Sequence, residues 1–504
     1  MTQAFPRFRG LRAARLQRGV VALLCAQLLL SACPAKSIEL LPGATWEEPT
    51  PRSAQSMRVQ APSATNCARP IQTREVLGDR DLQDASASPS RRGRTSLRGE
   101  PRGLTAADVH KTEKASSESR SAGLEEVAPT KPAMPPVPAP MPVTQASPPA
   151  TRNADRVVER NAPVTAGMVD DNADFNEYLR FRDRTQVAHR ARDVRERYLL
   201  QVRNARGTVV PDAEVAVTAP NGITLWARTD AGGRAWLHPD AVDTTRSAIY
   251  EVAVRKDGRQ TSAFLRRGQK SAVDVVLADS AAPARARLDL VFLIDATGSM
   301  ADEIGRLKTT LRSIANEVAQ LPSRPDTCFG LVAYRDKGDE FLLRSHDFTN
   351  DLGAFQGVLN ALQANGGGDY PEAMNEALHE TVHRLSWRGS GATRMVVLLA
   401  DAPPHLDDGG PQYDDDMLAA QGKGIKIFSV GASGLDKQGE VVQRQMAQYT
   451  GGRFVFLTYK DAERPASGPG RETVHDVSNY SVQTLDRLIV RLVTEELAQL
   501  PKGG

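Results

Sequence analysis

Cysteine is scarce: the chain has four in 504 residues, at positions 25, 33, 67 and 328, too few and too scattered to read as a disulfide framework. Aromatic residues make up only 5% and the formal charge is +3, so no basic, aromatic-rich surface of the kind that binds nucleic acid is visible. Nor is there an apolar run near the ~20 residues of a membrane-spanning helix. The run Val20 to Leu30 has 11. These absences leave an ordinary soluble composition, 40% hydrophobic and 25% charged, spread over a chain too long for one core.

What is present begins with an address. Residues 1–33 contain Arg7, Arg9, Arg12, Arg15 and Arg18 and no acid, then the apolar run, then "LLLSAC" ending at Cys33. A basic, then apolar, then small-residue order is that of an export signal, and the last four residues resemble a bacterial lipobox. The resemblance implies cleavage before Cys33, a diacylglycerol on its sulfur, and a chain anchored by lipid in a bacterial cell envelope with its domains periplasmic or surface-exposed. Pro34 is not the aspartate associated with inner-membrane retention, which favours the outer membrane. Without the five leader arginines the charge of +3 becomes −2, and residues 288–504 alone sum to −9, which leaves +7 on residues 34–287. Basic residues next to an anionic membrane would be weakly attracted to it. Cys67 falls in a linker, and Cys328 in an apolar strand reads as a buried free thiol.

The chain is expected to be multidomain. Residues 34–172 are rich in Pro, Ser and Arg ("TKPAMPPVPAPMPVTQASPPA") with no sustained period, which predicts a disordered tether. Residues 173–197 predict a helix with Phe175, Tyr178 and Leu179 on one stripe and a solvated charged face. Over 198–279, short alternating runs separated by "NARG", "PNG", "TDAGGR" and "KDG" predict a small antiparallel β-sandwich. The passage "VRNARGTVVPDAEVAVTAPNG" resembles a carboxypeptidase regulatory-like sandwich. From 288 to 504 apolar runs alternate with helical patterns, which predicts an α/β domain with a mostly parallel sheet. Its ligands would bind beyond the carboxyl ends of the strands. Strands are expected at 288–295, 327–334, 340–345, 394–401, 425–431 and 453–457. Helices are expected at 300–320, 351–364, 371–386, 412–422, 437–449 and 482–498.

Three segments of that domain carry chemistry. Asp295-Ala296-Thr297-Gly298-Ser299 closes one strand, "GGGDYPEA" (366–373) opens a helix, and "VVLLADAPPH" (396–405) closes another strand at Asp401. Either the hydroxyls cap the next helix, or the carboxylates and hydroxyls hold a cation; Mg²⁺ is served by a few oxygen ligands on loops, because it keeps several waters. Together the segments resemble the von Willebrand factor A domain and its metal-ion-dependent adhesion site, with Thr297 where that family has serine. The resemblance implies a Rossmann-like fold and a divalent cation, Mg²⁺ first with Ca²⁺ or Mn²⁺ as alternatives, held by Asp295, Thr297, Ser299 and Asp401. The family's loop threonine has no counterpart here. Asp369 is its expected substitute, with Glu372 behind it and a helix-capping role for Asp369 as the alternative.

The resemblance implies a binding protein, not an enzyme, whose partner is an unidentified protein or envelope ligand. A metal-dependent hydrolase is the rival, since an Asp that ends a strand before Thr-Gly-Ser also occurs in haloacid-dehalogenase-like phosphatases. Those need an acid two residues on, where this chain has Thr297. A metal-free spacer is the third reading. His405 is expected behind the site or at the surface. The run Asp407, Asp408, Asp414, Asp415 and Asp416 reads as a solvated loop and helix start, or as an acidic rim on the metal face.

Overall fold

The structure, a computed structural model, describes residues 67, 71–78, 163–278, 285–368, 370–407 and 409–501. Cys33, Asp369 and Asp408 lie outside the described residues. Two short strands, β1 (Thr73–Val76) and β2 (Thr165–Val169), fall within the stretch read as tether. Cys67 is disulfide-bonded to Cys328 across 261 residues of sequence. The free-thiol and unstructured-linker readings are both corrected at these positions. A four-residue strand is too short to show a period, and its pairing is with sequence far away.

Helix α1 (Phe175–Arg184) is capped by the Asp174 side chain and is shorter than expected. It buries Phe175, Tyr178 and Phe181. Thr185 is extended, and no apolar stripe continues beyond it to sustain helix. Residues 185–197 instead run along the α/β domain, tied by ion pairs from Arg190 and Arg192 to Asp414.

The next seven strands are β3 (Tyr198–Asn204), β4 (Glu214–Thr218), β5 (Thr224–Arg228), β6 (Arg234–Leu237), β7 (Ile249–Lys256), β8 (Arg259–Arg266) and β9 (Val273–Leu277). They form a three-stranded sheet, β6-β3-β9, and a four-stranded sheet, β5-β4-β7-β8. The alternate residues Leu200, Val202, Val215, Val217, Val252, Val254 and Val275 meet in one apolar cluster. Pairing is antiparallel except between β3 and β9, which are parallel, a departure from the all-antiparallel expectation. This unit is joined to the α/β domain by buried polar contacts. Asp212 accepts from Arg394 at 2.8 Å, and Gln421 donates to the Trp236 carbonyl at 2.7 Å.

The remaining elements are β10 (Arg287–Asp295), α2 (Ala301–Ala319), β11 (Asp326–Tyr334), β12 (Leu343–Thr349), α3 (Leu352–Ala361), α4 (Met374–His383), β13 (Thr393–Ala400), α5 (Tyr413–Lys423), β14 (Ile425–Gly431), α6 (Lys437–Thr450), β15 (Phe454–Thr458), β16 (Gln483–Thr484) and α7 (Leu485–Leu497). They build a nine-stranded sheet in the order β1-β12-β11-β10-β13-β14-β15-β2-β16. The five central strands are parallel, while β12, β1, β2 and β16 add antiparallel edges. Leu290, Phe292 and Ile294 of β10 pack with Leu307 and Leu311 of α2, Phe355 of α3 and Leu488 of α7. Val291 and Leu293, pointing the other way, are equally buried. A strand covered on both faces needs a continuous apolar run, and each such side chain contributes roughly 1.5–3 kcal/mol by leaving water. Among the described residues no helix is long and apolar enough to cross a membrane.

Candidate metal centre

The core of β10 runs to its last residue and then meets Asp295, which is 0% exposed. The turn after it is held locally: the Thr297 N–H and hydroxyl both donate to Asp295 Oδ1, at 2.9 and 2.6 Å. Thr297 Oγ1 also lies 3.0 Å from Ser299 Oγ, so the two hydroxyls and one carboxylate face a common point. A short 3₁₀ turn over Gly298–Met300 leads into α2. Thr297, the N-cap of that turn, makes no side-chain cap, and its hydroxyl donates to Asp295 instead.

The glycine loop closes over this turn. Gly298 N–H donates to the Gly366 carbonyl at 2.9 Å, and a Cβ on Gly298 would lie 2.8 Å from that oxygen. Gly367 has φ +72°, and a Cβ there would meet Glu372 Oε1 at 2.8 Å and Thr297 Cβ at 2.9 Å. Only glycine fits at either place. Asp339 secures the loop by accepting from Gly367 N–H at 2.8 Å and from Asp336 N–H at 3.0 Å.

Asp401 follows β13 directly and is 4% exposed. Glu372, 3% exposed, is placed by its N–H donating to the Pro403 carbonyl at 3.1 Å. Asp295 Oδ2, Asp401 Oδ1 and Glu372 Oε2 are all buried and accept no hydrogen bond within the protein. Their electrostatics agree with that crowding. Burial, then the Asp401 charge, pushes Asp295 up to about 7 against the hydrogen bonds from Thr297. Burial pushes Asp401 up to about 6, with a hydrogen bond from Ser299 working the other way and the Glu303 charge adding to the rise. Burial, followed by Asp295, Asp336, Asp401 and Asp339, lifts Glu372 to about 9. Buried like charges with no cationic side chain among these causes are stable only as protonated acids or around a cation. Two hydroxyls and three carboxylate oxygens form a hard-oxygen set suited to Mg²⁺, so the residues present fit that ion.

The structure therefore brings together Asp295, Thr297, Ser299 and Asp401, and it adds Glu372. Asp369, the expected substitute for the family's threonine, lies outside the described residues, and Glu372 is the described acid of that loop that faces the site. Its sequence signal was its place in the 366–373 segment, behind Asp369. Asp339 carried no sequence signal, because its role depends on a backbone N–H from another loop. His405 lies behind the site, its Nε2 2.9 Å from Asp336 Oδ1. The acidic run is not simply solvated: Asp414 and Asp416 are each 3% exposed, Asp414 facing Arg190 and Arg192 and Asp416 facing His379 and His383.

Residues 289–408 match the family model described as von Willebrand factor A domain, a span that contains all five of these residues. The alpha-protein kinase vwkA of Dictyostelium discoideum is 28% identical over 148 residues, which is 28% of this chain and 22% of that protein. An ariadne-like RING finger protein of Acanthamoeba polyphaga mimivirus is 28% identical over 121 residues, 24% of this chain and 12% of that protein. The chain thus spans under a quarter of the length of either relative. Among solved structures, the open conformation of the pilus adhesin SpaC from Lactobacillus rhamnosus GG aligns at TM-score 0.26 and 13% identity, covering 53% of this chain and 33% of that one. The SpRpn10 VWA domain aligns at TM-score 0.24 and 17% identity, covering 32% and 82% respectively.

Proposed function

With a von Willebrand factor A domain at residues 289–408 as the premise, we propose that this chain binds a partner protein or ligand through a divalent cation, Mg²⁺ first, held by Asp295, Thr297, Ser299, Asp401 and Glu372. The observation that carries this reading is the convergence of three buried, partnerless carboxylate oxygens on two hydroxyls at the carboxyl ends of β10 and β13. The cation would neutralise the acids and offer an open coordination position to an oxygen of the partner. The protein supplies the rest: Thr297 fixes the Asp295 rotamer, and the Gly366–Gly367 loop holds Glu372 over the turn. With three ionised carboxylates around two positive charges the site is about −1. At 4 Å and an effective dielectric near 20, one charge matters by roughly 4 kcal/mol before screening. A neutral or basic partner surface is therefore preferred to an acidic one.

A binding role is favoured over hydrolysis because Thr297 stands where a leaving-group acid would be needed. We place the protein in a bacterial cell envelope, lipid-anchored at Cys33 in the outer rather than the inner membrane. The Cys67–Cys328 bond supports export, since such bonds persist in oxidising compartments. Capture from envelope extract in Mg²⁺ and in chelator tests the binding reading: a partner retained equally in both sinks it. Incorporation of labelled palmitate by the wild type and not by Cys33→Ser tests the anchor.

A further inference from the structure

Helix α4 leaves the carboxylate corner just after Glu372 and carries a second set of potential ligands. His379 and His383 are four residues apart and so share a helix face. Their ring centroids are 4.5 Å apart. Asp416, in the first turn of the neighbouring α5, completes the group. His379 Nδ1 lies 3.0 Å and His383 Nε2 2.8 Å from the same atom, Asp416 Oδ1, and one ligand atom from each of the three residues lies within 4.8 Å of the others.

Two observations set this cluster apart from an ordinary histidine–carboxylate contact. Asp416 is 3% exposed, yet its second oxygen, Oδ2, is buried with no partner, and so is His383 Nδ1. Asp414 and Asp415 beside it are answered by Arg190 and Arg192. Asp416, by contrast, is answered only by imidazoles among the described ion pairs. Burial acts to raise its carboxyl, and the two histidines more than offset this and hold it below the usual value.

We propose that His379, His383 and Asp416 form a second metal site, specific for a first-row transition ion and foremost for Zn²⁺. Two imidazoles and one carboxylate are a donor set for Zn²⁺ and its neighbours, whereas Mg²⁺ and Ca²⁺ select oxygen. Ligand atoms about 2.0–2.1 Å from a tetrahedral zinc lie roughly 3.3 Å from one another. The present 2.8–3.0 Å contacts therefore open by only a few tenths of an ångström on binding, or the ion is taken by the partnerless Oδ2. His379, at 38% side-chain exposure, supplies the solvent side, where water fills the remaining position. The ion would clamp α4 to α5, the helices that follow Glu372 and Asp401 in the chain. The proposal does not depend on the first site holding Mg²⁺.

Titration of the full chain with Zn²⁺ in excess Mg²⁺, with Co²⁺ as the spectroscopic probe, tests it. One equivalent of Zn²⁺ should bind, Co²⁺ should show the strong ligand-field absorption of a four-coordinate site, and Asp295→Ala should retain both. His379→Ala and His383→Ala should each weaken binding at least about tenfold, the usual order for loss of a zinc-supporting group. Unchanged affinity and spectrum in a folded double variant would overturn the site. If that variant does not fold, zinc-edge X-ray absorption of the wild type decides instead. Two imidazoles at about 2.0 Å support the assignment, and none refutes it.

Discussion

Strand β10 carries two aspartates, Asp289 and Asp295, on the same face, and each is 0% exposed. Asp289 is fully answered. The Arg388 backbone N–H donates to its Oδ2 at 2.9 Å and the Arg388 Nε to its Oδ1 at 2.6 Å, while Arg388 Nη1 reaches Asp326 at 2.8 Å. Burial raises its pKa, and the guanidinium charge opposes the rise. Asp295 instead faces the acids Asp401 and Glu372, with Thr297 donating to one oxygen and no hydrogen-bond partner for the other. The difference separates a buried charge that belongs to the fold from one placed for something outside it. Burial alone does not distinguish the two; the sign of the neighbours does.

The largest expected effect breaks the first of these. Arg388→Ala leaves Asp289 buried without its counter-charge and should destabilise the fold by about 3–5 kcal/mol, equally in Mg²⁺ and in chelator, as read by denaturant unfolding. A loss that Mg²⁺ repairs would mean the two ends are not independent. Asp295→Ala should behave oppositely. In chelator its stability matches or exceeds wild type, and the gain of roughly 2.7 kcal/mol expected at a hundredfold excess of Mg²⁺ over its dissociation constant is absent. Should calorimetry find Mg²⁺ bound to this variant as to wild type, the cation assignment fails.

The pH dependence is a gentler test. Asp295 and Asp401 are held at about 7 and about 6, above their ordinary value of 3.8. In chelator the folded state therefore gains from protonating them. That contribution is fully present below about pH 4 and is lost as pH rises through 6 and 7. A cation binds the ionised carboxylates, Glu372 at about 9 included, so the Tm difference between Mg²⁺ and chelator should be nearly gone by about pH 5.5 and grow through pH 8 and above. A difference independent of pH would rule out carboxylate ligation. The smallest effect concerns the glycine loop. Glu372→Gln should weaken Mg²⁺ binding about tenfold and improve binding of acidic peptides. A loss of Mg²⁺ affinity on Asp369→Thr with none on Glu372→Gln would make Asp369, and not Glu372, the ligand from that loop.

The central strands and all six helices from α2 to α7 were legible because each buries a face in a period the sequence displays, as Leu290, Phe292 and Ile294 do against α2 and α3. Asp295, Thr297, Ser299 and Asp401 could be picked out because polar residues there interrupt apolar strands. What escaped depends on distant partners. β1 pairs with β12 over Thr73–Val76 and Leu343–His346, and nothing in four residues of "TREV" announces it. Asp416 looked like any acid at a helix start, where the dipole favours it, until folding set two histidines from another helix against it. The extent of α1 was overstated because 185–197 is charged and helix-compatible, and it is contacts to α5 and α6 that hold it extended, from Arg190 and Arg192 to Asp414, from Arg190 N–H to the Tyr413 hydroxyl and from Gln438 to the Ala188 carbonyl.

The Cys67–Cys328 bond has a mechanical meaning. It closes residues 68–327 into a covalent loop, so tension applied upstream of Cys67 passes straight into β11. The smaller two-sheet unit and the rest of the loop lie outside that covalent path while the bond lasts. Stretched between its ends, the oxidised protein should pay out about 900 Å less contour than the reduced one, at up to ~3.5 Å per residue over 261 residues. Reduction would thus replace a short covalent path from Cys67 into β11 by a much longer one.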